Sequence, residues 1–180
     1  MAGPGFSAAD AEQWIPRLRR YAQALTGQRE AADDLIQDTL ERAWRKRALW
    51  QPGTDLRAWL FTVMHNVHVN RARSARPTES LDENGAASAT VAAQVSSQSA
   101  ESGVVLSELR AALVRLSEEQ RQVILLVGLE QMSYAEAAGV LDVPIGTVMS
   151  RLARGREQLR VLLAQGAPTV GSGAALRRVK

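Results

Sequence analysis

Cysteine is absent from the 180 residues. That excludes a disulfide framework and a thiolate zinc site, and it fits a reducing compartment. Histidine is nearly absent, with only His65 and His68. Their spacing suits a metal pair on one helix face, but no third ligand is evident, so neither a metal nor a cofactor is expected. No apolar run approaches the roughly 20 residues that a membrane span needs. The opening MAGPGFSAADAEQW has neither the basic nor the apolar region of a secretory leader, so a cytoplasmic location is expected. Alternating β-branched runs are missing and hairpin dipeptides are few, which argues against a sheet. A nucleophile–base pair and a Gly-rich phosphate loop are missing too, which argues against an enzyme.

What is present is unevenly distributed. Residues 1–76 hold 12 Lys/Arg and 8 Asp/Glu, residues 77–103 hold 4 acids and no base, residues 104–164 balance at 7 and 7, and residues 165–180 add 3 bases. All four tryptophans (Trp14, Trp44, Trp50, Trp59) precede residue 60, whereas the second half has Tyr134 alone. The stretch RPTESLDENGAASATVAAQVSSQSAESG is rich in Ala, Ser, Gly and acids and has no sustained apolar period, the composition of a flexible linker. The expected organisation is two small helical domains, 8–75 and 104–164, joined by an acidic linker over 76–103 and followed by a disordered basic tail over 165–180. The fold class is all-α.

In the first domain a helix runs to Leu25, with Trp14, Ile15, Leu18, Tyr21, Ala22 and Leu25 on one face, Pro16 in its first turn and Gly27 ending it. Glu30–Arg47 forms a second helix that buries Ala32, Leu35, Ile36, Thr39, Ala43 and Trp44. The dipeptide Pro52-Gly53 breaks the chain. Thr54 or Asp55 then caps a third helix reaching about Arg73, with Leu56, Trp59, Leu60, Val63 and Val67 at the helical period. In the second domain Leu106, Leu109, Leu113 and Leu116 mark the first helix. SEEQ from Ser117 and SYAE from Ser133 are capping boxes that open helices over 118–128 and 134–141, and a last helix runs from Ile145 to Leu163.

Three patterns carry function. SYAEAAGVLDVPIGTVMSRLARGREQL, from Ser133 to Leu159, reads as a helix-turn-helix. Small residues Ala137, Ala138 and Gly139 would let its helices approach closely. Val148, Leu152 and Leu159 face inward, leaving Thr147, Ser150, Arg151, Arg154 and Gln158 on a polar, cationic face. Such a face suits base edges and phosphates of the major groove. The second helix puts Asp34, Gln37, Asp38 and Glu41 on one side. Asp34 and Asp38, four apart, repel each other by a few tenths of a kcal/mol, so the face is either simply solvated or meets a basic partner. Finally, NVHVNRARSAR from Asn66 is either a nucleic-acid face or a solvated helix end whose cations suit the dipole.

Taken with their order and spacing, DDLIQDTLERAW (Asp33–Trp44), QPGTDLRAWLFTVMHN (Gln51–Asn66) and PIGTVMSRLARGREQL (Pro144–Leu159) make the chain similar to bacterial RNA polymerase sigma factors of the sigma-70 family, extracytoplasmic-function group. The resemblance implies a sigma-2 and a sigma-4 domain. It implies that Asp34, Gln37, Asp38 and Glu41 dock on the clamp helices of the polymerase largest subunit. Gln51, Pro52, Gly53, Thr54, Asp55, Asn66, Asn70, Arg71 and Arg73 would hold the melted minus-ten strand, and Thr147, Ser150, Arg151 and Arg154 would read the minus-thirty-five duplex. An anti-sigma factor is implied as a further partner. The chain departs from its relatives at Asn70, where many carry an acid, and at Met149 and Ala153, where polar, basic or aromatic groups are common; this bears on the minus-thirty-five sequence. A stand-alone operator-binding regulator would leave the acidic face unexplained, a small helical enzyme would lack its catalytic groups, and a pure interaction protein would have no use for the recognition helix.

Overall fold

A computed structural model of the chain describes residues 5–74 and 100–166, without side-chain detail for 100–104 and 166. The tail from 167 and the linker up to 99 lie outside the described residues. All regular structure among the described residues is helical.

The first domain begins with α1 (Ala8–Glu12), opened by a capping box in which Ser7 and Asp10 satisfy each other's backbone N–H groups. A two-residue turn separates it from α2 (Ile15–Thr26), so the single first helix expected from sequence is split, with Pro16 in the first turn of the second piece. There its missing N–H costs nothing. Gly27 ends α2 at φ +71. A Cβ there would lie 2.7 Å from Val114 Cγ2 and would displace that methyl. Helix α3 (Arg29–Arg45) and a 3-10 turn (Arg47–Leu49) lead to the Pro52-Gly53 turn and then to α4 (Leu56–Ser74). Leu18, Tyr21, Ala22, Leu25, Ala32, Leu35, Ile36, Thr39, Ala43, Leu60, Phe61, Val63, Met64 and Val67 are buried among these three helices. Thr39 is tolerated in that core because its hydroxyl donates to the Leu35 carbonyl at 2.7 Å. Trp44 corrects the sequence reading: it is 46% exposed, with the Arg47 guanidinium 4.6 Å from its ring centroid. It lies one residue past Ala43, on the rim of the buried stripe, where a cation over the indole face replaces core packing.

The second domain contains α5 (Ala100–Val114), α6 (Glu118–Ile124) with a π turn over Leu125–Leu129, α7 (Tyr134–Leu141) and α8 (Ile145–Gly166). Helix α5 starts four residues before the expected domain boundary. Both capping boxes form: Ser117 with Gln120, and Ser133 with Glu136. Of the small residues expected to let α7 and α8 approach, Ala137 is buried but Gly139 is not involved; a separate close approach, of α8 to α6, occurs at Gly155. A Cβ on Gly155 would lie 2.8 Å from Ile124 Cδ1 and 3.2 Å from Gln120 Cβ, whereas a Cβ on the exposed Gly139 would meet nothing within 4 Å.

The two domains share one hydrophobic core, running from Leu18 and Leu60 through Leu113, Leu126 and Val140 to Val148. Among the described residues, four cationic or imidazole side chains close the seam. Arg20 Nη2 meets Glu130 Oε1 at 3.0 Å, Arg57 Nη2 meets Glu136 Oε1 at 3.1 Å, His68 Nε2 meets Glu118 Oε1 at 2.9 Å, and Arg121 Nη1 donates to the Leu25 carbonyl at 2.6 Å.

Candidate nucleic-acid and partner interfaces

The recognition helix is set by local chemistry. Asp142 adopts a left-handed backbone, φ +52, to end α7, and the Val143 N–H closes back on the Ala138 carbonyl at 3.1 Å. Pro144 then opens α8, its carbonyl accepting from the Thr147 and Val148 N–H groups. Val148 and Leu152 are buried. They fix the helix rotation, so Arg154 is exposed, Thr147 and Ser150 are half-buried, and the Ser150 hydroxyl donates to the Thr147 carbonyl at 3.0 Å. Arg151 is drawn sideways to Glu119 on α6, 2.9 Å away. Arg154 makes no hydrogen bond or ion pair with any described residue, so of the two its guanidinium is the unpaired one. Met149 is 52% exposed and Ile145 is exposed beside it, an apolar pair at the helix start that sequence periodicity did not single out as a surface. Apolar contacts of this kind suit thymine methyl groups.

On α3, Asp34, Gln37, Asp38 and Glu41 all face solvent. They are not equally free. Arg71 on α4 places Nη2 2.6 Å and Nε 3.0 Å from Asp38 Oδ2, and Nη2 also donates to the Asp34 carbonyl at 3.0 Å. Glu41 pairs with Arg45 at 3.2 Å. The acidic repulsion evident in the sequence is thus answered from within the chain: Arg71, expected to hold DNA, ties the acidic face to the basic helix.

The turn Gln51–Asp55 is exposed throughout. The Gln51 carbonyl accepts from the Thr54 N–H at 3.1 Å and the Thr54 hydroxyl at 2.7 Å, and Gly53 sits at φ +90. Asp55, rather than Thr54, caps α4: its Oδ1 accepts from the N–H groups of Arg57 at 2.8 Å and Ala58 at 3.3 Å. Its carboxylate is therefore engaged in holding the helix, leaving Gln51 and the backbone of Pro52-Gly53-Thr54 as the outward-facing groups. Asn66 and Asn70 are exposed along α4.

Near the end of α4, Arg73, His65, Glu118, Glu119, Gln122 and Arg151 line an open cleft of about 430 Å³ between the domains. Residues expected to contact the two promoter elements, Arg73 and Arg151, therefore line the same cleft, a space too small for a duplex. Burial and the neighbouring His68 hold His65 below the usual histidine range, and its Nδ1 is buried without a partner. The hydrogen bond from His68 depresses the Glu118 carboxyl. Ser133 depresses Glu136 through its backbone and side-chain hydrogen bonds, with Arg57 contributing less. Tyr21, fully buried beside Glu130, is pushed above the ordinary tyrosine range. Among the described residues no group of three or more His, Cys, Asp or Glu is placed to hold a metal ion, and no described helix is long and apolar enough to cross a membrane.

Residues 12–65 match the family described as the Sigma2 domain of PhyR, and residues 106–159 match Sigma-70, region 4. Over 166 residues the chain is 38% identical to the ECF RNA polymerase sigma factor EcfG of Rhodopseudomonas palustris, covering 92% of this chain and 90% of that protein. It is 35% identical to the ECF RNA polymerase sigma factor SigL of Mycobacterium tuberculosis over 152 residues, 82% of this chain and 83% of that one. Among solved structures, the sigma factor RpoE of Bartonella quintana, in complex with the anti-sigma factor NepR, is similar with a TM-score of 0.67 and 32% identity, covering 88% of this chain and 97% of that one.

Proposed function

The chain belongs to the ECF RNA polymerase sigma factors, and from that premise we propose how its residues share the work of promoter selection. It acts as a non-catalytic initiation factor in the cytoplasm. Asp34, Gln37, Asp38 and Glu41 engage the clamp helices of the polymerase largest subunit. The Gln51–Asp55 turn holds a base of the melted minus-ten strand, while Asn66, Asn70, Arg71 and Arg73 follow its phosphates. A base leaving the stack costs a few kcal/mol, which a preformed protein seat offsets. Thr147, Ser150, Arg151 and Arg154 address the minus-thirty-five duplex. Once the seam between them parts, the domains over 8–75 and 104–164, tethered through 76–103, make one bivalent reader whose spacing the polymerase sets. Each contact alone is weak, and DNA binding falls steeply with salt.

Control by an anti-sigma factor extends to this chain from the similar Bartonella quintana protein, which was solved with NepR. The observation that best supports the whole reading is the capped helix-turn-helix with an unpaired Arg154, in the same chain as a separate exposed acidic helix face. A stand-alone duplex-binding regulator has use for the first and none for the second. Pull-down with bacterial core polymerase tests it: the chain is expected to be retained, and retention is expected to weaken when Asp34 and Asp38 are replaced by alanine.

A further inference from the structure

Phe6 lies far in sequence from every residue assigned to promoter contact, yet it is buried, at 5% exposure, behind the minus-ten turn. Its ring meets three indoles edge-on, with centroids 5.5 Å from Trp59, 6.1 Å from Trp50 and 6.5 Å from Trp44. Trp50 immediately precedes Gln51. Trp59 sits one turn into α4, its N–H donating to the carbonyl of the capping Asp55. Phe6 therefore touches the residues on both flanks of the exposed turn.

Hydrogen bonds close the turn itself, but none holds the Trp50 indole behind it. Trp50 Nε1 is buried without a hydrogen-bond partner, so packing is what orients the indole. The backbone leading to Phe6 is equally constrained. Gly5 has φ +120, and a Cβ there would lie 2.5 Å from the Arg47 carbonyl oxygen, so the chain runs flush against the 3-10 turn that carries Arg47 to Leu49. The Ser7–Asp10 capping box then fixes the chain direction directly after Phe6.

We propose that Phe6 is a positioning residue for promoter opening: it wedges Trp50 and Trp59 so that the Gln51–Asp55 turn is held in its strand-receiving shape before DNA arrives. This rests on the assignment of that turn to the minus-ten strand. A turn ordered in advance loses less freedom on binding, and aromatic edge contacts are the restraint that supplies the order.

The test uses the full chain assembled with core polymerase. A promoter is first selected by the wild-type holoenzyme from a random-sequence DNA library, then prepared as duplex, as a version pre-melted over the minus-ten element, and as its isolated non-template strand. Phe6→Ala is expected to weaken strand binding about tenfold and to slow opening of the duplex promoter by a similar factor. Core affinity and binding of the minus-thirty-five duplex stay at wild-type levels, a split that general loss of fold would not produce. The pre-melted promoter recovers the opening defect but not the strand affinity. Gly5→Ala, which shifts the same seat without touching an aromatic ring, moves both readouts in the same direction. If Phe6→Ala and Gly5→Ala bind the strand like wild type while Gln51→Ala weakens it, the positioning role is wrong. If Gln51→Ala is also without effect, the assignment of the turn is wrong and the role of Phe6 falls with it.

Discussion

Arg20 and Glu130 stand 110 residues apart and meet 3.0 Å apart across the seam between the two domains, with the Glu130 side chain entirely buried and the Arg20 side chain about half exposed. A carboxylate taken out of water is stable only when paired. Arg20→Ala leaves Glu130 uncompensated, and we expect it to cost about 2 kcal/mol, less than a fully buried pair because water reaches the arginine site. Glu130→Gln is expected to cost less than Arg20→Ala, since a neutral amide needs no counter-charge. Urea denaturation of the two variants checks the order; equal midpoints for wild type and Arg20→Ala would show that the seam contact contributes nothing.

The seam also makes stability depend on pH. Burial lowers the His65 pKa below the usual histidine value of 6.5, so the unfolded chain binds its proton more readily than the folded one. Stability therefore falls as pH drops below 6.5. Glu118 and Glu136 have pKa values lowered from 4.5, so the stabilisation they supply is complete above 4.5 and is lost as pH falls through their folded values. Melting temperature is expected to decline in two stages on acidification, and His65→Gln is expected to remove the first while leaving the second. A His65→Gln protein with the wild-type profile between pH 6.5 and 5 would contradict this.

Much of the helical layout was legible in the sequence. The boxes at Ser117 and Ser133, the apolar period through Leu35, Leu60 and Val148, and the breaks at Gly27 and Pro52-Gly53 are local signals, and helices are built from local hydrogen bonds. The seam was not legible, because Arg20–Glu130 and Arg57–Glu136 join residues 110 and 79 positions apart and each looks like an ordinary surface charge in its own helix. Trp44 was misread because one residue of rotation, about 100°, carries it from the buried stripe to the rim. Gly139 was misread because composition marks a small residue without saying which helix face it occupies.

That last distinction yields a paired test of packing. Gly139→Ala adds a methyl to open space in a helix interior and is expected to stabilise by about 1 kcal/mol. Gly155→Ala must push Cβ against Ile124 and Gln120, and overpacking of about 1–3 kcal/mol offsets or exceeds the same helix gain. Thermal melts of the two variants should shift in opposite directions or differ by at least a few degrees.

Of the two arginines proposed to meet the duplex, Arg151 is engaged by Glu119 and Arg154 is unpaired among the described residues. Arg154→Ala is expected to weaken minus-thirty-five duplex binding by about 1–3 kcal/mol. Arg151→Ala is expected to cost less, because Glu119 already holds that guanidinium. Glu119→Ala should release it, tightening duplex binding and steepening the salt dependence by about one phosphate contact. Titration of the selected duplex at several salt concentrations separates these; an unchanged salt slope in Glu119→Ala would show that Arg151 does not reach DNA.

Asp38 and Arg71 hold each other, so each is shielded from the partner proposed for it. Asp38→Ala is expected to weaken association with core polymerase several-fold while freeing Arg71, leaving strand binding unchanged or tighter. Arg71→Ala should weaken strand binding and leave core association unchanged or tighter. Parallel core and strand titrations check the reciprocity, and a loss of both activities in both variants would point to a structural role for the pair.

The central claim is that this chain confers promoter choice on the polymerase. Run-off transcription by bacterial core enzyme, with and without the purified chain, on the promoter selected from the random library tests it most directly. The expected result is a discrete transcript only when the chain is present, lost on adding Asp34→Ala and Asp38→Ala together. Retention of the chain on its DNA without any association with core polymerase, and no transcript, would contradict the account.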